Sequence, residues 1–276
     1  MKKLLGLIVS VVVLGVSLSS FAWTQRQPLP VEQCQVHSPY GFPQAGNVQA
    51  LCQQAYLVGY DPAAKLPKVV TYTLLPQNAI GCVARTNAFV ANQFIQNGPV
   101  PQDYAGTGYD KGHMVPDGDL SWDQQVEYES FLMTNMAPQA GSLNRGIWKL
   151  LETSVRGWAV QLNQPLTVYV GGIYSAGDKV IGNGVVVPNR YYKIVINQAT
   201  GEVAGWMFPH TPPYPNLGND LTKFRAPING IEQQAGVKFA FPANARELQP
   251  GQEWKVDYGA LTNAKRAKCG ASASAD

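Results

Sequence analysis

Apolar and polar positions divide this chain into regions of different periodicity. At the start, Lys2-Lys3 precedes an apolar run from Leu4 to Leu18, and Ser20-Phe21-Ala22 follows. A basic pair, a short apolar core and a small-x-small ending predict a secretory signal over residues 1–22, cleaved after Ala22. The run is short for a bilayer span, and nothing later is long and apolar enough to make one. An irregular Gln-, Pro- and Gly-rich lead-in covers 23–47, and then alternation sets in. Residues 54–60 and 68–75 alternate and are β-branched, which predicts a strand pair. Residues 166–173, 190–196 and 202–208 predict three more strands, with turns at Gly182-Asn183-Gly184 and Ala199-Thr200-Gly201. Between these groups the period changes. Trp148, Leu151, Val155 and Trp158 recur at i, i+3, i+4 spacing and predict a helix from about Arg145 to Leu162. Residues 119–133 mix acidic side chains with Trp122, Tyr128 and Phe131, and predict a short helix followed by a strand over 131–134.

A sheet-rich second half of antiparallel strands with helices packed on it is an α+β fold. Roughly 250 residues beyond the leader can bury a sizeable core as one domain. With no repeat and no linker in view, that domain is expected over 23–270, followed by a small, polar, disordered tail over 271–276.

Charge changes little in this picture. The formal net charge is +3, and loss of Lys2 and Lys3 leaves +1. A larger basic excess often accompanies nucleic-acid binding, yet a local cationic groove is enough for an enzyme. Cysteine says more. Cys34, Cys52, Cys82 and Cys269 all follow the leader, and an even count in an exported chain predicts two disulfides. Of three possible connectivities the favoured one is Cys34–Cys52 with Cys82–Cys269, the second tying the C-terminal end to the body. No Cys-x-x-Cys occurs, which argues against a zinc cluster.

The candidate chemistry lies in residues 109–156. Asp110-Lys111-Gly112-His113 comes first, then Asn135-Met136-Ala137-Pro138-Gln139, then Asn144 with Glu152 eight residues on and Arg156 one helical turn later. Histidine has an unperturbed pKa near ~6.5 and can take a proton from water at neutral pH. The Asn144 amide oxygen is a hard ligand suited to Mg²⁺. Such a set suits hydrolysis of a phosphodiester with one hard cation. Each residue also has an ordinary reading: Asn144 as an N-cap, Glu152–Arg156 as a solvated i, i+4 pair, Asn135 and Gln139 as turn residues, Arg85 as a surface cation. His37 reads as a surface or structural residue and His210 as a loop residue. Whether Asp110 or a backbone carbonyl orients the His113 ring is left open.

This block resembles the DNA/RNA non-specific endonucleases of the ββα-metal superfamily, the relatives of bacterial secreted nucleases and mitochondrial endonuclease G. Their signature is Asp-Arg-Gly-His, then Asn-Met-x-Pro-Gln, then Asn-x-x-x-Trp with Glu eight residues after that Asn. Asp110 to His113, Asn135 to Gln139, Asn144 with Trp148, and Glu152 supply it in order, with Lys111 replacing the usual Arg. The likeness extends more weakly over residues 50–242, where Ile231-Glu232 falls in a stretch that the family folds as a short helix.

The resemblance implies a central antiparallel sheet with packed helices and a ββα-metal motif. It implies His113 as general base, Arg85 near the scissile phosphate, and Asn144 as direct ligand to Mg²⁺, Mn²⁺ or another divalent cation. Glu152 would hold water on that metal, and Asp110, Lys111, Asn135, Gln139 and Arg156 would support. DNA and RNA are the implied substrates, cut with weak sequence preference to 5′-phosphate and 3′-hydroxyl ends, in the periplasm or outside the cell. The alternatives are a non-catalytic nucleic-acid-binding protein on the same fold and a small-substrate phosphatase. The latter would need more metal-ligating Asp and His than three histidines allow.

Overall fold

The computed structural model describes residues 24–271. The leader expected over 1–22 lies outside the described residues, as does the tail expected over 271–276 apart from Ala271. In chain order the strands are β1 (Gln49–Cys52), β2 (Leu57–Asp61), β3 (Leu66–Leu74), β4 (Tyr109–His113), β5 (Met136–Ala140), β6 (Leu166–Ile173), β7 (Val180–Ile181), β8 (Val185–Val186), β9 (Arg190–Asn197), β10 (Glu202–Pro209) and β11 (Arg246–Glu247). The helices are α1 (Asp117–Leu120), α2 (Gln124–Ser130), α3 (Lys149–Leu162), α4 (Ile228–Ala235) and α5 (Tyr258–Cys269).

Seven strands make the main sheet in the order β1-β2-β3-β6-β9-β10-β11. Its pairings are antiparallel except β10–β11, which is parallel. Period-two alternation sorts the long strands into two cores. On β9, Tyr191 and Val195 join the core that contains Trp148, Leu151, Val155 and Trp158 of the α3 region. Tyr192, Ile194 and Ile196 face the other core, with Ile228 and Ile231 of α4. Both faces are covered, so the strands read as nearly continuous apolar runs. Burying each Leu or Val of α3 contributes about 1.5–3 kcal/mol, and this packing holds the helix on the sheet.

Four local departures from expectation have physical causes. β2 starts at Leu57 and not at residue 54, because Gln53 N donates to Tyr56 O and closes the β1–β2 turn. The strand expected over 131–134 is absent. Leu132 makes one isolated bridge, to Val90, and Met133–Asn135 is a 3₁₀ turn. The helix expected from Arg145 is regular only from Lys149, since residues 143–148 form a wide π-type turn broken at Gly146 (φ −105°, ψ −118°). Its apolar periodicity runs through the break and hides it. Finally, β1 and α5 were not foreseen; α5 buries Leu261 alone, so it carries no apolar stripe to read.

The disulfides Cys34–Cys52 and Cys82–Cys269 are both present. The second fastens α5 to the loop before Arg85, where Lys268 Nζ also donates to Gln77 O (3.1 Å) and Ile80 O (2.6 Å). A Cys82→Ser/Cys269→Ser protein is expected to lose about 2–5 kcal/mol of stability in urea unfolding, the usual cost of removing a native disulfide.

Candidate active site

β4 and β5 form an antiparallel ribbon apart from the main sheet, pairing Asp110 with Gln139 and His113 with Met136. Alternation along β4 puts Lys111 and His113 on one side of it. Gly112 faces the other side, where a Cβ would meet Gln139 Oε1 at 2.1 Å and Cγ at 2.6 Å. Gln139 is fully buried, so it has no room to yield and glycine is required there. Neither amide atom of Gln139 has a hydrogen-bond partner among the described residues.

Asn135 is a clamp. Its Nδ2 donates to Val115 O (2.9 Å) and Ser130 O (2.8 Å), and its Oδ1 accepts from Val115 N (3.0 Å). It thereby ties the turn after His113 to the start of β5. The resemblance placed Asn135 and Gln139 near metal and substrate; both are wholly buried and neither lines the cleft.

The cleft has a volume of about 530 Å³ and is lined by Arg85, Lys111, His113, Asn144, Glu152 and Arg156, with Asp117, Arg145 and Lys149. Cations outnumber carboxylates on its wall. A nearly neutral chain thus concentrates positive charge where a phosphate backbone would lie.

The His113 ring is packed edge-on against Phe131, with centroids 4.9 Å apart, and is 7% exposed. Its Nε2 has no partner among the described residues. Burial pushes the imidazole pKa down to about 4, with Asp117 opposing and Arg85 reinforcing the shift. The ring is therefore neutral at pH 7. Asp110 points elsewhere: its Oδ2 accepts from Asn144 Nδ2 (3.0 Å) and Arg145 Nε (3.0 Å). A carboxylate can only accept, so this contact assigns the Asn144 NH₂ to Asp110 and leaves the amide oxygen uncommitted. Asn144 sits inside the π-type turn, one residue into it, and is not the N-cap of α3.

Glu152 lies in the first turn of α3 with its side chain 12% exposed, its Oε1 3.7 Å from Lys193 Nζ. Burial raises its pKa to about 7, against the pull of Lys193 and Arg156. Arg156, expected to pair with Glu152, is braced by another carboxylate as well: Nη1 donates to Asp119 Oδ1 (2.9 Å) and Nη2 to Thr153 Oγ1 (3.1 Å). Asp119 Oδ2 accepts in turn from Tyr72 OH (2.7 Å).

Arg85 is held at the cleft from several directions. Cys82 is in the disulfide, Val83 N donates to Ser121 O (2.8 Å), and Thr86 N donates to Glu127 Oε1 (2.9 Å). The guanidinium pairs with Asp117 and lies over the Phe131 ring, 4.9 Å from its centroid. Lys111 Nζ sits 4.7 Å from the Phe89 ring centre.

Among the described residues no group of three or more His, Cys, Asp or Glu is placed to hold a metal ion. A cation here would depend on the uncommitted Asn144 oxygen and the Glu152 carboxylate, both of which line the cleft. These hard oxygen donors fit Mg²⁺ with water filling most positions.

The other two histidines are structural. His37 Nε2 contacts Gln54 O (3.0 Å). His210 is buried, not a free loop residue: Nε2 accepts from Ala140 N (2.8 Å), so Nδ1 carries the proton it shares with Pro188 O (2.6 Å).

Residues 35–246 match the family model described as DNA/RNA non-specific endonuclease. The chain belongs to that family. Human mitochondrial endonuclease G is 29% identical over 217 residues, covering 72% of this chain and 71% of its own length. The fission-yeast mitochondrial nuclease 1 (Schizosaccharomyces pombe) is 30% identical over 172 residues, or 53% of either chain. Xenopus laevis nuclease EXOG is 27% identical over 245 residues, 80% of this chain and 65% of the relative. A chain in the crystal structure of the EndoG/EndoGI complex superposes with a TM-score of 0.66 at 26% identity, covering 76% of this chain and 91% of that one. The chain thus spans about half of the yeast nuclease and under two thirds of the frog one.

Within this DNA/RNA non-specific endonuclease family member, the motif reading overlooked Asp117, Asp119, Glu127 and Lys193. Lys193 alone left a signal, a lysine amid the apolar run Tyr191-Tyr192-Lys193-Ile194-Val195-Ile196.

Proposed function

We propose that residues 23–270 form an exported, divalent-metal-dependent endonuclease that hydrolyses the phosphodiester bonds of DNA and RNA to 5′-phosphate and 3′-hydroxyl ends. The observation that carries this reading is one cationic cleft walled together by a neutral His113, an uncommitted Asn144 oxygen and Glu152.

His113 acts as general base, taking a proton from water as the water oxygen attacks phosphorus and the P–O3′ bond breaks, the departing O3′ taking a proton from solvent. Its depressed pKa keeps it in the accepting form at physiological pH. Arg85 offers a planar fork of donors to the phosphate oxygens, while Lys111 contributes a point charge without the bidentate grip of Arg. Arg145 and Lys149 extend the positive wall along the strand. Asn144 directly, and Glu152 through water, would hold Mg²⁺, with Mn²⁺ as a substitute; when bound, the ion supplies Lewis-acid stabilisation of growing negative charge. Asp110 fixes the Asn144 amide, and Arg156 with Asp119 stiffens the α3 side of the cleft. The groups offered to substrate are phosphate-directed, which supports weak sequence preference.

Export is supported by the leader pattern and by two disulfides, which persist in oxidising compartments. The relatives above carry mitochondrial names; for this chain the periplasm or the medium is proposed.

The test is incubation of the mature protein with supercoiled plasmid and with RNA, in Mg²⁺ and in EDTA. Cutting of both polymers in Mg²⁺, abolished by EDTA, is expected. Binding without cutting in any divalent metal would overturn the proposal in favour of a non-catalytic binder.

A further inference from the structure

Every residue of β9 after Arg190 is buried, and Lys193 at its centre has no exposed surface. Its side chain leaves the sheet on the α3 side. There Nζ lies 4.7 Å from the centre of the Trp148 ring and 3.7 Å from Glu152 Oε1. Neither Lys193 Nζ nor Glu152 Oε1 has a hydrogen-bond partner among the described residues; the ion pair between them is the largest compensation either has, with Arg156 also acting on Glu152 and Asp119 on Lys193. A lysine is almost never fully buried without a paired anion, and packing alone would be served better by an aliphatic residue. The sheet does not need this lysine. What it does is place a positive charge behind the one carboxylate of α3 that lines the cleft.

We infer that Lys193 is a positioning residue for Glu152: from beneath the cleft its ammonium tethers Oε1, so that the carboxylate meets the cation site in a single orientation. The inference rests on the reading of Glu152 as a metal-supporting carboxylate. Trp148 completes the device. Its ring face takes part of the ammonium's charge and blocks other directions for the lysine chain. The tether comes from the middle strands of the sheet, whereas Asn144 is fixed from the β4–β5 ribbon by Asp110. The two oxygen donors are thus set by independent parts of the fold.

The experiment compares wild type, Lys193→Met, Glu152→Gln and the double variant. Mn²⁺ affinity is read by electron paramagnetic resonance on substrate-free protein, and half-saturating Mg²⁺ is read in plasmid cleavage. Lys193→Met is expected to weaken Mn²⁺ binding and raise half-saturating Mg²⁺ about 10- to 100-fold, the usual cost of losing a group that orients a ligand. Rate should largely return at saturating Mg²⁺. In the Glu152→Gln background the same substitution should leave Mn²⁺ affinity where Glu152→Gln put it. A folded Lys193→Met protein with wild-type Mn²⁺ affinity, or equal losses in both backgrounds, would overturn the inference. If Lys193→Met does not fold, urea unfolding decides. A tethered pair requires the double variant to be the more stable of the two, and a double variant no more stable refutes the tether. A wild type that binds Mn²⁺ in a Lys193-dependent way yet cuts nothing would sink the nuclease reading and leave the tether standing.

Discussion

Replacing His113 by alanine is expected to slow plasmid cleavage by about 10²–10⁴-fold, the range for loss of a positioned general base. The residual rate should still require Mg²⁺, because Asn144 and Glu152 are untouched. The same substitution should make the protein more resistant to acid. In the unfolded chain His113 protonates near 6.5, whereas burial holds it down to about 4 in the fold. Between those values the unfolded state binds more protons, so stability falls as pH drops through the window. Above the window both states are neutral and the group contributes no slope; below it both are charged and the loss is complete. The full difference is about 3 kcal/mol. Urea titrations at pH 7 and pH 4 should therefore show wild type losing about that much more stability than His113→Ala. Equal acid losses in the two proteins would mean that the imidazole is not held neutral. A wild-type cleavage rate in His113→Ala would remove it as the base.

Asn144→Ala should be nearly as damaging, and by a different route. The amide oxygen is a neutral donor at the cleft that the contact with Asp110 leaves uncommitted. Its loss should exceed the ~10- to 100-fold expected when only an orienting group is removed, and added Mg²⁺ should not restore the rate. Asp110→Ala provides the comparison. It leaves the ligand in place but frees the amide to rotate, so a loss within that same ~10- to 100-fold range is expected, recovered in part by high Mg²⁺. Asn144→Asp should be a poor substitute, because it sets a second carboxylate against Asp110 at hydrogen-bond distance and the two cannot both ionise freely. Rate measured against Mg²⁺ concentration separates the three variants. Identical curves for Asn144→Ala and Asp110→Ala would contradict the division of labour.

Likeness to a family signature pointed to His113, Asn144 and Glu152 together; periodicity alone reads Asn144 as an N-cap and Glu152–Arg156 as a solvated pair, and it is the fold that sets the three on one cleft wall. The apolar face of α3 and the long strands were legible for another reason: their burial follows a simple period. What stayed hidden depends on contacts between distant segments. Asp119 gains its role from Tyr72 and Arg156, and Glu127 from the backbone of Thr86. Neither sits at a spacing that advertises it. Asn135 and Gln139 show the converse, since motif membership marked them as site residues while the fold buries both, Asn135 bonded to Val115 and Ser130 and Gln139 packed under Gly112. Lys193 was overlooked for a third reason. A polar residue in an alternating strand is counted as facing water, and only the covering helix turns it into a buried charge.

The link between Cys82 and Cys269 has one more consequence. It closes a covalent ring with a sequence separation of 187, and every residue lining the cleft, from Arg85 to Arg156, lies within that ring. A protease that cuts once inside it, for instance at the exposed segment 175–177, severs the backbone without releasing a fragment. The nicked molecule runs as one species until it is reduced and as two afterwards. In a protease-rich medium, a single cut and the loss of the site are separate events.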